Sequence, residues 1–169
     1  NGFASYFGLL YSNDMRPPRT DVPLRLYRND QALPGEVDQG TLTERYTEEA
    51  LRFLREPSDR PFFLYLAYTM PHRPLYSSER FAGKSRRGLY GDAVETLDWS
   101  VGEILRALRD AGLEDDTIVL FTSDNGPAIS RGLEAGSAGL LRAGKGSSYE
   151  GGMREPCVVR WPSRIEPAQ

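Results

Sequence analysis

The sequence is poor in the residues that form cross-links and metal–thiolate sites. Cys157 is the only cysteine among 169 residues. An internal disulfide and a zinc site built on several thiolates are therefore excluded within the chain. Histidine and lysine are almost as scarce, with His72, Lys84 and Lys145 as their only representatives. Any chemistry that needs an imidazole or an ammonium group depends on these few positions.

The chain also lacks a strong charge excess and a long apolar run. Its 21 basic and 24 acidic side chains give a formal net charge of −3, whereas nucleic-acid binding usually requires a basic face. No apolar run approaches the length of a membrane span. With 39% hydrophobic residues, the composition is typical of a globular domain with a real core. We expect neither a nucleic-acid partner nor a membrane span.

Turn-forming residues and helical periodicity divide the chain in two. Residues 1–40 are rich in Pro, Gly, Asn and Asp and are predicted to form an irregular loop region. The remainder, 41–169, is predicted to be an α/β portion. Its first helix begins at Thr41-Leu42-Thr43-Glu44, which fits a capping box, and ends before Pro57. A second helix is predicted from Gly91 to Arg109, with a stop at Gly112.

Three apolar runs of strand length follow or separate these helices, at residues 62–68, 117–121 and 157–161. Continuous apolar runs are typical of strands that are buried on both faces of a parallel sheet. The order of elements therefore predicts an α/β fold with a mainly parallel sheet flanked by helices. Ligand sites in such sheets lie beyond the carboxyl ends of the strands. This rule selects His72, Asp124 and Asn125 as candidate site residues.

Asp124 and Asn125 place a carboxylate and an amide side by side just after a predicted strand. Both present oxygen, the ligand that Ca²⁺ and Mg²⁺ prefer. The alternative is a simple Asx turn, because Asp, Asn and Gly dominate turns. The local sequence alone favours the Asx turn over the metal site, and both interpretations remain open at this point.

His72 lies in the segment Pro71-His72-Arg73-Pro74. Its unperturbed pKa near 6.5 suits a histidine to proton transfer, or to binding an anion when it is charged. The alternative is a surface or partly buried histidine with no chemical role. Prolines on both sides of the His-Arg pair restrict the backbone and favour a fixed placement.

Lys145 lies in the glycine-rich segment Gly144-Lys145-Gly146. Glycines let a backbone approach an anion closely, and the ammonium group adds a point charge; the alternative is a flexible surface loop. A nucleotide-binding P-loop is rejected, because Gly146 stands where Ser or Thr should hold Mg²⁺.

The acidic residues Asp92, Glu95 and Asp98 are predicted to form a solvated face of the second helix, with no catalytic role.

Taken in order, these segments resemble the sulfatase family, arylsulfatase A-like, within the alkaline phosphatase superfamily. The resemblance covers nearly the whole chain. The segments that carry it are Gly2-Phe3, Tyr6-Phe7-Gly8, Tyr11-Ser12-Asn13-Asp14, Pro61-Phe62-Phe63-Leu64-Tyr65, His72, Tyr90-Gly91-Asp92, Asp124-Asn125-Gly126-Pro127, Gly144-Lys145-Gly146 and Glu150-Gly151-Gly152-Met153-Arg154-Glu155-Pro156. Each motif is weak alone, but the ordered set is specific.

The resemblance implies a fold and an activity. The fold would be part of an alkaline-phosphatase-like sulfatase domain over residues 1–169, and the activity would be hydrolysis of an aryl or carbohydrate sulfate ester. Asp124 and Asn125 match the positions that bind Ca²⁺, with Mg²⁺ as a second candidate. His72 and Lys145 match catalytic residues that bind the ester and assist the leaving oxygen. A periplasmic, secreted or lysosomal location is also implied.

The family's nucleophile, a formylglycine made within a Cys/Ser-x-Pro-x-Arg motif, has no counterpart here. The segment Arg160-Trp161-Pro162-Ser163-Arg164 mimics the motif but has Arg160 at the nucleophile position. We therefore expect the chain to be a fragment that lacks the N-terminal part of its domain and is inactive alone. The alternatives are a phosphodiesterase or phosphonate hydrolase of the same superfamily, a non-catalytic module that binds metal or anionic glycans, and a structural domain.

Overall fold

The computed structural model describes residues 2–56 and 60–166. The chain divides into two compact units, residues 1–104 and 105–169. Both contain helices and strands, so the predicted α/β class is confirmed. Within the two described ranges, no helix is both long and apolar enough to cross a bilayer.

The first unit begins with a small antiparallel sheet. Strands β1 (Phe7–Leu9), β2 (Leu26–Arg28) and β3 (Gln31–Ala32) lie in the order β1-β2-β3. The turn between β2 and β3 has Asn29 at φ 52°, a left-handed conformation that Asn tolerates better than most residues. Residues 1–40, predicted to form an irregular loop region, therefore contain three short strands. Strands of two or three residues are too short to produce a period-two pattern that stands out from the surrounding turn residues.

Helix α1 spans Leu42–Arg55 and follows a 3-10 turn at Gln39–Thr41. The predicted capping box is not formed. The Asp38 carboxylate accepts the Gly40 N–H at 2.9 Å, and the Thr41 hydroxyl donates backwards to the Asp38 carbonyl at 2.8 Å. The extra turn moves the start of the helical segment to Asp38, which leaves Thr41 in helical geometry rather than in the extended geometry of an N-cap. Pro57, the predicted stop, lies outside the described residues.

The core of the first unit forms where α1 meets the sheet. Leu26, Leu42 and Tyr46 form a buried cluster, and partly buried apolar side chains pack against it: Phe7, Leu9, Leu33, Val37, Leu66 and Tyr68. At the edge of this contact, Arg28 of β2 donates two hydrogen bonds to Glu49 of α1, at 2.5 and 2.7 Å. These bonds from Arg28, with a further one from Arg52, lower the pKa of Glu49 to about 2. The strand and the helix are thus joined by apolar packing and by a bidentate ion pair.

The apolar run at residues 62–68 does not form the predicted buried strand. It has no strand partner among the described residues, and its burial alternates. Leu66 and Tyr68 pack against the core, whereas Phe63 and Tyr65 are 74% and 71% exposed. Alternation of this kind is typical of an extended chain with one covered face. A continuous apolar run therefore indicated an extended segment correctly, but it could not indicate how many faces are covered.

Helix α2 spans Gly88–Asp110, three residues earlier and one later than predicted. Its end is a Schellman motif, in which Gly112 at φ 68° donates to the Arg109 carbonyl and Leu113 donates to the Leu108 carbonyl, both at 2.9 Å. In the middle of the helix, the buried Ser100 hydroxyl contacts the hydroxyls of Thr47 and, at 2.7 Å, Tyr68. The predicted stop at Gly112 is confirmed.

The second unit contains strands β4 (Val119–Thr122) and β5 (Cys157–Arg160). Both were predicted, but they pair antiparallel, with Val119 opposite Arg160 and Thr122 opposite Cys157. Each pairing within the described residues is antiparallel, in contrast to the mainly parallel sheet that was expected. Parallel neighbours need a crossover connection, usually a helix. The connection between β4 and β5 holds only a 3-10 helix at Ile129–Glu134 and the four-residue helix α3 at Glu150–Met153.

The predicted acidic face of α2 is correct for Glu95 and Asp98, which are exposed, and wrong for Asp92. Asp92 is only 3% exposed, and its carboxylate accepts backbone N–H groups of residues 83–85 at 2.8 to 3.1 Å. The bond from Ser85 is the main cause of a pKa below the ordinary value of the Asp92 carboxyl. Asp92 therefore fixes the loop that leads into α2.

We expect Asp92→Ala to lower the free energy of unfolding by about 2 kcal/mol, because three backbone donors lose a charged acceptor. Since the pKa of Asp92 is lower in the folded state, its stabilisation is complete above pH 3.8 and is lost as the pH falls below that value. Urea unfolding followed by circular dichroism between pH 2 and 7 measures both effects. Asp98→Ala on the same helix is the control, and equal losses for the two variants would contradict the assignment.

Candidate functional site

Asp124 and Asn125 lie in the loop that follows β4. Asp124 is exposed and Asn125 is half-buried. The Ser123 hydroxyl donates to the Asn125 carbonyl at 3.0 Å and shapes this turn. Within the described ranges, neither the Asp124 carboxylate nor the Asn125 side-chain amide makes a hydrogen bond or an ion pair. The side-chain bond of a simple Asx turn is therefore not made here, and both side-chain oxygens remain available to a ligand.

Backbone hydrogen bonds join this loop to the glycine-rich segment that contains Lys145. The Lys145 N–H donates to the Pro127 carbonyl at 2.9 Å, and the Gly126 N–H donates to the Gly152 carbonyl at 3.1 Å. A third bond, from the Gly151 N–H to the Arg142 carbonyl at 2.9 Å, closes the segment on itself. Lys145 is therefore held beside the loop that carries Asp124 and Asn125.

Glycines are required where these two loops touch. A Cβ atom at Gly126 would lie 2.0 Å from the Gly151 carbonyl oxygen, and one at Gly144 would lie 2.4 Å from the Pro127 carbonyl oxygen. Gly151 and Gly152 are packed as closely, against the Ala143 and Ser147 carbonyls at 2.1 and 2.3 Å. These obstacles are backbone atoms, which cannot rotate away as a side chain does. The glycines were interpreted from the sequence as allowing a close approach to an anion. In the structure they allow two backbone segments to approach each other.

The Lys145 side chain is exposed, but its backbone is held in place. Beside it, the Arg142 guanidinium lies 3.7 Å from the centre of the Tyr149 ring, and the Ser147 hydroxyl donates to the Gly144 carbonyl at 2.9 Å. The hydrogen-bonded segment differs from the flexible surface loop considered as the alternative. It presents an ammonium group on a defined backbone.

His72 lies in the first unit, in the turn that follows the extended segment at residues 62–68. The backbone N–H of His72 donates to the Thr69 carbonyl at 3.2 Å, and Met70, within the same turn, is buried. The ring Nδ1 lies 3.0 Å from Oδ1 of Asn13, which is only 2% exposed. Asn13 belongs to the motif Tyr11-Ser12-Asn13-Asp14, but the sequence analysis assigned it no role, because nothing local connects it to a residue 59 positions later.

A carboxylate adjoins this histidine as well. The Ser12 hydroxyl, which donates to Asp14 at 2.7 Å, is the main cause that lowers the pKa of Asp14, and the charges of Arg19 and His72 act in the same direction. Arg19 also forms an ion pair with Asp14. The surroundings of His72 are therefore polar, with the nearby negative charge already paired.

The structure thus brings Lys145 to the loop of Asp124 and Asn125, within the second unit, and places His72 in the first. The expectation that His72 and Lys145 face one site remains a prediction. No group of three or more His, Cys, Asp or Glu side chains suited to a metal ion occurs in the described part of the chain. Asp124 and Asn125 would be partial contributors to any metal site.

The known proteins that are similar to this chain include several sulfatases. The family model described as Sulfatase matches residues 1–169. The chain is 48% identical to N-acetylgalactosamine-6-sulfatase of Canis lupus familiaris, over 98% of this chain and 34% of that protein. It is 39% identical to arylsulfatase A of Homo sapiens, over 98% and 36%. A crystal structure of a Pseudoalteromonas sp. sulfatase superposes with a TM-score of 0.76 at 26% identity, over 85% and 30%. The chain spans about a third of the length of these proteins.

We expect Gly126→Ala to lower the free energy of unfolding by about 2 kcal/mol or more, because the new methyl group meets a backbone carbonyl. Gly102→Ala is the matched control. Nothing lies within 4 Å of a Cβ at Gly102, and this glycine lies inside α2, so the substitution should raise stability by about 0.5–1 kcal/mol. Urea unfolding of both variants measures the difference. Equal stability of Gly126→Ala and the wild type would show that the two loops are not closely packed.

Proposed function

The chain belongs to the sulfatase family, and from this premise we propose that its residues form part of a site that hydrolyses sulfate esters. The observation that supports the proposal best is the hydrogen bond from Lys145 to Pro127, which holds a cationic side chain beside the loop of Asp124 and Asn125. A sulfate ester carries negative charge on its oxygens. A cation and a pair of metal-binding oxygens at one place are the groups that such an ester requires.

Asp124 and Asn125 are proposed to hold a divalent cation, Ca²⁺ in the first place and Mg²⁺ as the second candidate. The fit is right in kind, because both residues offer oxygen, the donor that these ions prefer. It is incomplete in number, since Ca²⁺ takes six to eight oxygen ligands and two side chains supply only part of that shell. When bound, the cation would supply Lewis-acid polarisation of the ester oxygens.

Lys145 and His72 are proposed to contact the ester itself. Lys145 offers three N–H donors and a positive charge. His72 offers a ring nitrogen that accepts a proton in its neutral form and donates one in its charged form. Among the 169 residues no Cys/Ser-x-Pro-x-Arg pattern occurs. The roles proposed for the residues of this chain are therefore to bind the ester and to balance its negative charge. His72 is also proposed to hold a proton.

The substrate class is proposed to be an aryl or carbohydrate sulfate. The names of the similar proteins include both kinds, an arylsulfatase and an N-acetylgalactosamine-6-sulfatase. The polar surroundings of His72, with the ion pair of Asp14 and Arg19, suit a hydrophilic ligand. These features support the class of ester and leave the identity of its alcohol to experiment.

We expect Asp124→Ala to weaken Ca²⁺ binding by about tenfold or more, because a charged ligand to a hard cation contributes well over 1 kcal/mol. Isothermal titration calorimetry with CaCl₂ measures the affinity. Asp116→Ala removes an equally exposed carboxylate of the same unit and should leave the affinity unchanged. Equal affinities for the wild type and Asp124→Ala would remove Asp124 from the metal site.

We expect Lys145→Ala to weaken binding of 4-nitrophenyl sulfate about fivefold, because an exposed ion pair contributes up to ~1 kcal/mol. Lys84→Ala, which alters the only other lysine, removes the same charge from an exposed position and should have little effect. Lys145→Arg should retain part of the affinity, since it keeps the charge with a different shape. Ligand-detected NMR measures the binding. If Lys145→Ala and Lys84→Ala weaken it equally, the attraction is non-specific.

A further inference from the structure

The side chain of Asn13 contacts the ring nitrogen Nδ1 of His72 and is held by further hydrogen bonds. Its Nδ2 donates to Oε1 of Gln39 at 2.9 Å and to the carbonyl of Pro74 at 3.2 Å. Gln39, also buried, donates from Nε2 back to the Asn13 carbonyl at 3.1 Å. The two amides therefore bind each other, and three hydrogen bonds fix them.

The orientation of both amides follows from the backbone groups they contact. The carbonyls of Pro74 and Asn13 can only accept hydrogen bonds, so the side-chain atom facing each must be an NH₂ group. Turning either amide over would set an oxygen against a carbonyl oxygen in a buried site, which carries the cost of unsatisfied polar groups. The Asn13 atom that faces His72 is thus the oxygen, a group that can only accept.

The position of the ring hydrogen of His72 follows in turn. Nδ1 lies 3.0 Å from this oxygen, and the contact is a hydrogen bond only if Nδ1 carries a hydrogen. Neutral His72 then has its lone pair on Nε2, and charged His72 has a second N–H there. The residue as a whole is exposed. Nε2 is thus the nitrogen left for a ligand.

On the basis of the function proposed above, we propose that Asn13 is a positioning residue, which with Gln39 holds the His72 ring with its hydrogen on Nδ1 and presents Nε2 to the sulfate ester. An amide suits this task better than a carboxylate would. It orients the ring without a negative charge of its own, so charged His72 keeps a net positive charge for an anionic ligand. The nearby carboxylate of Asp14 is bound by Ser12 and Arg19 instead.

The tautomer of His72 provides a direct test, because the chain has a single histidine and its ring nitrogens give one pair of signals in ¹⁵N NMR. At a pH where the ring is neutral, wild-type His72 should be the Nδ1–H tautomer. Asn13→Leu should shift the tautomer ratio about tenfold towards Nε2–H, the form that a free histidine side chain prefers, since one hydrogen bond is lost. Asn13→Asp keeps an acceptor and should retain Nδ1–H.

Thr96→Val is the control for a purely structural effect, because it removes another buried hydroxyl contact of the same unit, the bond to the Asp92 carbonyl at 2.7 Å, and should not change the tautomer ratio. The wild-type protein alone can overturn the proposal: this would happen if neutral His72 carried its hydrogen on Nε2. The test therefore remains possible even if the Asn13→Leu protein fails to fold.

Titration with 4-nitrophenyl sulfate separates the role proposed for Asn13 from the proposed ester site. The Nε2 signal should move more than the Nδ1 signal. A correct tautomer with no shift at either nitrogen would support Asn13 as the partner of His72 but contradict the ester site.

Discussion

A small set of hydroxyl contacts joins α1, α2 and the extended segment that precedes His72. Ser100 of α2 contacts Thr47 of α1 and Tyr68 of the extended segment, and Tyr46 of α1 contacts the next residue, Thr69, at 3.1 Å. The extended segment has no strand neighbours among the described residues, so these side-chain bonds and the apolar packing of its covered face fix its position. His72 lies three residues after Thr69, and its backbone N–H donates to the Thr69 carbonyl at 3.2 Å, so the turn that carries His72 starts from this anchored segment.

The second unit is organised by close approach rather than by buried side chains. The strands β4 and β5 bear exposed apolar groups such as Leu120 and Val158, and order at the candidate site comes from backbone contacts between the two loops. Where carbonyl oxygens stand little more than 2 Å from the place of a missing Cβ, only glycine is compatible with the geometry. The candidate residues Asp124 and Lys145 are exposed, and the backbone of their two loops is held by these close contacts.

The role of a polar residue in this chain depends more on whether its side chain is buried or exposed than on its residue type. Asp92 and Asp98 both lie on α2, yet Asp92 binds three backbone N–H groups and Asp98 is exposed. Asn13 and Asn125 are both amides, and one is buried and fully engaged whereas the other lies in an open turn. A buried polar group must find partners, because water cannot supply them. An exposed polar group without partners is instead available to a ligand.

The sequence by itself determined the elements that depend on neighbours in the chain. Helical periodicity located α1 and α2, Gly112 marked the end of α2, and apolar runs located β4 and β5. The same local signals selected Asp124, Asn125, His72 and Lys145 as site candidates, and their ordered motifs indicated the family. Tertiary structure alone decided the antiparallel pairing of β4 with β5, the partners of Asp92, and the pairing of His72 with Asn13. These features join residues that are distant in sequence or change role on burial, and their energy arises only when the folded chain brings the partners together.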